Sequence, residues 1–154
     1  MTQGVVLLAA NKRSYAFFAY NLAMSIKFHN PNIKIALLHD HCIENLWKDD
    51  LAVFDELIPL NTEEMLYNGR FNAGKVTVEI YDKLPFDENI YLDVDALCFQ
   101  DLQPMIDELS ALGGDYYCRL YGAVDLNDIN THHFMQWVDP NKIYDKYLLD
   151  KSKG

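Results

Sequence analysis

Short, unbroken apolar runs alternate with stretches of helical spacing along this chain, and that rhythm constrains the fold more than any other feature. Gly4 to Ala10 (GVVLLAA), Ile33 to His39 (IKIALLH) and Asn89 to Asp93 (NIYLD) read as buried strands because their apolar character is continuous. Between the first two, Ser14 is placed to cap a helix running to about His29 and stopping before Asn30-Pro31. Tyr15, Phe18, Leu22 and Ile26 form one stripe along it, so it should pack deeply. Glu44 to Asp50 reads as a short helix, and Val53 to Leu60 holds a third strand closed by Pro59. A loop from Gly69 to Gly74 leads into a helix from about Lys75 to Lys83. After the 89–93 strand, Asp101 caps a helix with Pro104 in its first turn, where proline is tolerated. Gly113-Gly114 then turns the chain into a strand, Asp115 to Leu120, and a last helix runs from about Pro140 to Leu149.

Alternation of this kind specifies an α/β fold: a Rossmann-like three-layer α/β/α sandwich with a mostly parallel sheet. No repeat, low-complexity tract or long linker interrupts the 154 residues, so one domain spanning 1–154 is expected.

Charge narrows the function. With 13 Lys and Arg against 23 Asp and Glu, the formal net charge is −10. Nucleic-acid affinity draws on clustered Lys and Arg, so a nucleic-acid partner is not expected, and neither is docking on anionic membrane by charge alone. The apolar run near the N-terminus follows no positive charge and is far too short for a signal peptide or a transmembrane span. Cys42, Cys98 and Cys118 are odd in number and widely spaced, which points to core thiols in a reducing cytoplasm.

The most informative stretch is Tyr91-Leu92-Asp93-Val94-Asp95. On extended backbone, residues i and i+2 share a face, so the two carboxylates repel unless a cation sits between or beside them. They also fall at the carboxyl end of a strand, where open α/β sheets place ligands. Mg²⁺ and Mn²⁺ prefer oxygen ligands, commonly one or two carboxylates completed by substrate phosphates. The natural chemistry is a cation on the carboxylates and a diphosphate on the cation, stabilised as it departs.

The segment LPFDENIYLDVDALCFQDLQPMID resembles the D-x-D region of A-type glycosyltransferases, in particular the glycogenin-like and lipopolysaccharide galactosyltransferase-like members. The opening VVLLAAN, then Tyr15, a helix and NPNIKIALLHD, is similar to the nucleotide-binding start of the same enzymes, and the likeness covers roughly residues 4–110. It implies transfer of a hexose from a nucleotide diphosphate sugar, UDP-linked by preference, to a hydroxyl acceptor, with Mn²⁺ or Mg²⁺ as cofactor. Asp93 would contact ribose or reach the metal through water, and Asp95 would ligate it more directly, with Val94 between them in the nucleotide site. Ala9, Ala10 and Asn11 would line the base and ribose pocket, with Tyr15 near the base. Lys75 would face the donor sugar or phosphates; a cation at a helix start is slightly unfavourable with the helix dipole, which hints at another reason for it.

The sequence departs from that family in lacking a C-terminal half with a metal-completing His. A non-catalytic nucleotide-sugar-binding module, or a half completed by a second copy or a complementing chain, is therefore the alternative. A nucleotidyltransferase would carry a Gly-rich loop where this chain has Ala10-Asn11-Lys12-Arg13-Ser14. His39-Asp40-His41-Cys42 has zinc-ligand chemistry but no second cluster at finger-like spacing, and we read it as a strand-end loop with Asp40 at the edge of the nucleotide pocket. His132-His133 near Trp137 reads as polar loop and core contact.

Overall fold

The computed structural model describes residues 2–112. Strand β1 (Gln3–Ala9) leads through α1 (Arg13–His29) to β2 (Lys34–His39). A 3-10 turn (His41–Asn45) and the single-turn α2 (Lys48–Leu51) precede β3 (Glu56–Pro59). Next come α3 (Thr62–Met65), an antiparallel pair of β4 (Leu66–Tyr67) and β5 (Arg70–Phe71), α4 (Ala73–Glu79) and a 3-10 turn (Ile80–Lys83). Strand β6 (Glu88–Leu92) rejoins the sheet, and α5 (Gln103–Leu112) comes after it. The expected strand Asp115–Leu120, the expected helix Pro140–Leu149 and the pair His132-His133 fall outside the described residues.

The main sheet runs β3-β2-β1-β6, and each neighbouring pair is parallel. Its alternating side chains sort onto two faces, as the pleat requires. Val5, Leu7 and Ala9 with Ile35 and Leu37 pack beneath Ala16, Ala19, Leu22, Ala23 and Ile26 of α1. Val6, Ala10, Ala36 and Leu38 pack on the other face against Met65, Val76 and Ile80, from α3, α4 and the turn after it. Helices therefore cover both faces, and the expected three-layer Rossmann-like sandwich is the fold observed. Each buried Val, Leu or Ile contributes about 1.5–3 kcal/mol relative to exposure. β1 and β2 are each buried on both faces, so each contributes side chains to both cores.

Local details differ from the sequence reading, each for a physical reason. Ser14 does not cap α1: the chain enters from extended Lys12 with no side-chain cap, after Asn11 has turned it at φ 74°. Asn tolerates that left-handed conformation better than most side chains. The third strand is shorter than Val53–Leu60, because Phe54 is drawn into the core and the Asp55 backbone turns to donate to the Ile35 carbonyl at 2.8 Å. The expected 44–50 helix is a 3-10 turn and one turn of α-helix. The expected loop is a hairpin, since Asn68 and Gly69 both take positive φ, as the tight two-residue turn demands. Helix α4 begins earlier than expected because Asn72 Oδ1 accepts from the Lys75 backbone N–H at 2.7 Å, an N-cap that sequence spacing alone did not single out.

Two of the contacts at the end of the sheet opposite the strand carboxyl ends lend themselves to test. The Phe86 ring lies against Gly4, and a Cβ at that position would overlap the ring carbons. Gly4→Ala should cost about 1–3 kcal/mol, as overpacked cores do, read as a lowered urea midpoint; Phe86→Leu in the same chain should recover part of it. Asp55 bonds Lys34 Nζ at 2.7 Å, Lys27 Nζ at 2.9 Å and the Ile35 N–H at 2.9 Å. Burial alone would lift its carboxyl, but these three donors outweigh burial and bring it down to about 2. A carboxylate lowered by folding adds stability above its unfolded pKa of about 3.9 and loses it as pH falls towards the folded value. Urea midpoints measured from pH 5 to pH 2 should therefore fall more steeply for the wild type than for Asp55→Asn, which starts lower at neutral pH.

Candidate functional site

The order of the strands singles out one place on the sheet. From β1 the chain steps outwards to β2 and β3, then crosses back to β6 on the other side of β1. The outward step is made by α1 on one face and the return by α3 and α4 on the other. Connections that leave on opposite faces open a crevice at the carboxyl ends of the two strands, between β1 and β6. Register brings the strand ends to the same edge: Leu7 pairs with Leu92, and Ala9 pairs with His39. Ala9, Ala10, Asn11, Asp40, Asp93, Val94 and Asp95 all lie at or just beyond those ends.

The acidic pair sits just past its strand. β6 stops at Leu92, and Val94-Asp95 form a turn, so the carboxylates are presented by the turn and not by strand alternation. Val94 is partly buried against the core beneath α1, together with Ile90 and Leu92. The apolar residue thus anchors the turn while Asp93 and Asp95 stay exposed, with no hydrogen bond or ion pair among the described residues. Two carboxylates without a protein partner are oxygen donors open to a cation. Among the described residues no third His, Cys, Asp or Glu joins them.

The segment after the turn is sewn to α1. Ser25 Oγ accepts from the Cys98 N–H at 2.9 Å and donates to the Leu22 carbonyl at 2.7 Å. Asn30, buried at the end of α1, accepts from the Leu102 N–H at 2.7 Å and donates to the Ile26 and Gln100 carbonyls. Sequence reasoning missed both residues. Asn30 had a signal, as the position where the helix stops before Pro31; Ser25 had none.

Asp40 is the buried charge of the site. Its two oxygens accept from the Asn11 N–H at 2.7 Å and the Cys42 N–H at 2.8 Å, joining the end of β1 to the end of β2. Burial pushes its carboxyl up, but those two N–H donors, the Cys42 side chain and His41 outweigh it and leave it lowered. Cys42 is displaced the other way: burial, then the hydrogen bond and charge of Asp40, push its thiol up to about 12. The protonated thiol lies 3.2 Å from the Ala9 carbonyl, to which it donates. Both groups are thus engaged within the strand ends themselves, Asp40 by two N–H donors and the Cys42 thiol by the Ala9 carbonyl.

The other expected residues are spread over both layers. Ala9 and Ala10 are buried, one in each core, so they could meet a ligand only through backbone. Asn11 is exposed at the crevice. Tyr15 packs partly into the α1 core and meets Phe18 at 6.3 Å between ring centroids. Lys75 belongs to the opposite layer, where its Nζ donates to the Glu63 carbonyl. No described contact joins it to the acidic turn. A depression of about 220 Å³ lined by Phe18, Asn21, Val94, Asp95, Ala96 and Leu97 adjoins the acidic pair. A wider one of about 430 Å³, lined by Arg13, Glu44, Asn45, Leu46 and Trp47, lies on the β2 side and includes neither Asp. The smaller depression has the stronger claim because it contains Asp95.

Comparison with known proteins shows a fold and no closer kinship. No family model matches the sequence, and no curated protein matches it. Among solved structures, the crystal structure of S. aureus TarS matches at a TM-score of 0.50 over 83% of this chain, with 10% sequence identity. The match takes in 24% of the TarS chain, so this chain spans about a quarter of that protein's length. Likeness at that identity concerns the fold alone, α/β and Rossmann-like. No described helix is long and apolar enough to cross a membrane.

The Asp40 bridge can be tested directly. Asp40→Asn turns one carboxylate oxygen into an NH₂ group facing an N–H, so one buried donor loses its acceptor. The loss should be about 1–3 kcal/mol in urea denaturation with an unchanged far-UV spectrum. A neutral Asp40→Asn would show that the charge does not hold the two strand ends together.

Proposed function

We propose that this chain binds a nucleotide diphosphate sugar through a divalent cation held by Asp93 and Asp95, and that it serves glycosyl transfer to a hydroxyl acceptor. The observation that carries this reading is the exposed carboxylate pair at the topological switch point of a Rossmann-like α/β fold, without a partner among the described residues. Two carboxylates suit Mn²⁺ or Mg²⁺, whose remaining positions water and substrate phosphates fill. When bound, the cation would neutralise the diphosphate leaving group.

The protein's own groups have separable tasks in this reading. Asp95 ligates the cation and Asp93 assists, directly or through ribose and water. Val94 fixes the turn by packing into the core. Asn11, held by Asp40 in a left-handed turn, borders the nucleotide with the Ala9 and Ala10 backbone, and Tyr15 stands on the α1 side of that border. Lys75, already engaged by Glu63, would have to exchange that carbonyl for a phosphate to take part.

UDP or a UDP-sugar should stabilise the protein only with Mn²⁺ or Mg²⁺ present, because a chain of net charge −10 repels a bare diphosphate. At ligand a hundredfold above its Kd the gain should be about 2.7 kcal/mol in a thermal-shift series. Asp95→Asn should abolish the metal dependence without unfolding the chain, and removing like-charge repulsion could raise the metal-free melting temperature slightly. Equal stabilisation by UDP under excess chelator would rule out the metal bridge.

A further inference from the structure

We propose that the outward face of α1 is where two copies of this chain pair, antiparallel about a twofold axis. Among the described residues this face is left to solvent, and its composition is wrong for solvent. Ala16, Ala19, Leu22, Ala23 and Ile26 already supply the buried stripe that a surface helix needs. Opposite them Phe17, Met24 and Phe28 form a second apolar stripe, 37%, 48% and 82% exposed. Asn21, also exposed, interrupts it, so the outward positions fall at 17, 21, 24 and 28. Spacings of four, three and four residues are those of a heptad seam, by which one helix packs along another. A lone Asn in such a seam fixes register and strand number while costing some stability.

A second copy is the occupant that the stripe itself specifies. A twofold contact must be self-complementary, one patch meeting the same patch reversed. The stripe is symmetric about its midpoint, between Leu22 and Ala23. Turned end for end, it sets Phe17 against Phe28 and Asn21 against Met24, and the two Asn21 amides flank the axis. Charge favours the same face. The chain carries −10 overall, which opposes self-association, yet α1 holds no Asp or Glu. Of the cations bordering the stripe, Lys27 is held by Asp55 at 2.9 Å and Arg13 lies over the Phe17 ring. Trp47, 79% exposed, lines a depression with Arg13 and extends the apolar surface at that end. At about 150–250 Å² per large aromatic side chain, these exposures offer roughly 500 Å² per copy. A pair then buries about 1,000 Å², enough for a reversible dimer. Because Asn21 also lines the depression containing Asp95, the second copy would stand beside the acidic turn.

Sedimentation velocity on the full chain, over a concentration series, tests the pairing. The wild type should pass from monomer to dimer mass as concentration rises. Phe28→Glu and Met24→Glu should each weaken the dimer at least about tenfold. Tyr81→Glu, which charges an exposed aromatic in the opposite layer, should leave it unchanged. Melting temperatures would verify that the variants fold. Mild oxidation with copper-phenanthroline then reads the register against the wild-type background. Helical rise sets the two copies of position 21 about 5 Å apart along the helices and the two of position 28 about 16 Å apart. Asn21→Cys should therefore give a disulfide between copies, and Phe28→Cys should not. A dimer indifferent to both Glu substitutions, or one cross-linked through Phe28→Cys, overturns the proposal. A wild type that stays monomeric does so too, and a melting temperature lowered by Phe28→Glu in that monomer assigns the face to residues 113–154 instead.

Discussion

The Asp40 carboxylate, buried yet charged, ties together the parts on which the rest of this structure is built. One oxygen takes the Asn11 N–H and the other the Cys42 N–H, so the ends of the two most buried strands are joined through one side chain. A buried carboxylate persists only when its hydrogen-bonding capacity is met, and here the turn after β1 and the 3-10 turn after β2 meet it together. The left-handed Asn11 is part of the same arrangement: its backbone conformation is uncommon for a residue with a side chain, and the N–H it directs at Asp40 is what that conformation supplies. The crevice floor is therefore set by an electrostatic contact at one strand end and by apolar packing everywhere below it.

Opposite Asp40 across β1, the acidic turn is built on different physics. Among the described residues its carboxylates take no part in holding it. Val94 anchors it from beneath, and the α1 hydrogen bonds to residues 98–102 secure the segment beyond it. Among the described residues the turn is thus held by other groups than its carboxylates, which in the proposed function leaves Asp93 and Asp95 for a cation. Helix α1 borders the site through Tyr15 in its first turn and Phe18 and Asn21 beyond it, and Asn11 lies just before it.

Much of this was legible in the sequence. Continuous apolar runs at 4–10, 33–39 and 89–93 marked strands that end within a residue or so of the observed β1, β2 and β6, because burial on both faces leaves no room for polar interruption. The acidic pair was visible because two carboxylates two residues apart at the end of such a run are costly without a reason. Less was legible where a side chain bonds a particular backbone group. Ser14 has the chemistry of a cap and does not act as one, whereas Asn72 caps α4 without having stood out. Asn68-Gly69, a strong hairpin signal, was read only as the edge of a loop.

The layers, the parallel sheet and the position of the acidic turn at a strand end were set by the sequence alone. Those features depend on the order and spacing of apolar residues, which a linear chain displays openly. Three-dimensional packing was needed to bring β6 against β1 on the side away from β2, placing the switch point between Asn11 and Asp93. The fold likewise brought Asp40 against Asn11, 29 residues away, and Ser25 against Cys98, 73 residues away. Contacts of that kind have no period in the sequence. They arise when burial has already fixed which elements meet, and each buried polar group must then find its partner among whatever the packing has brought near.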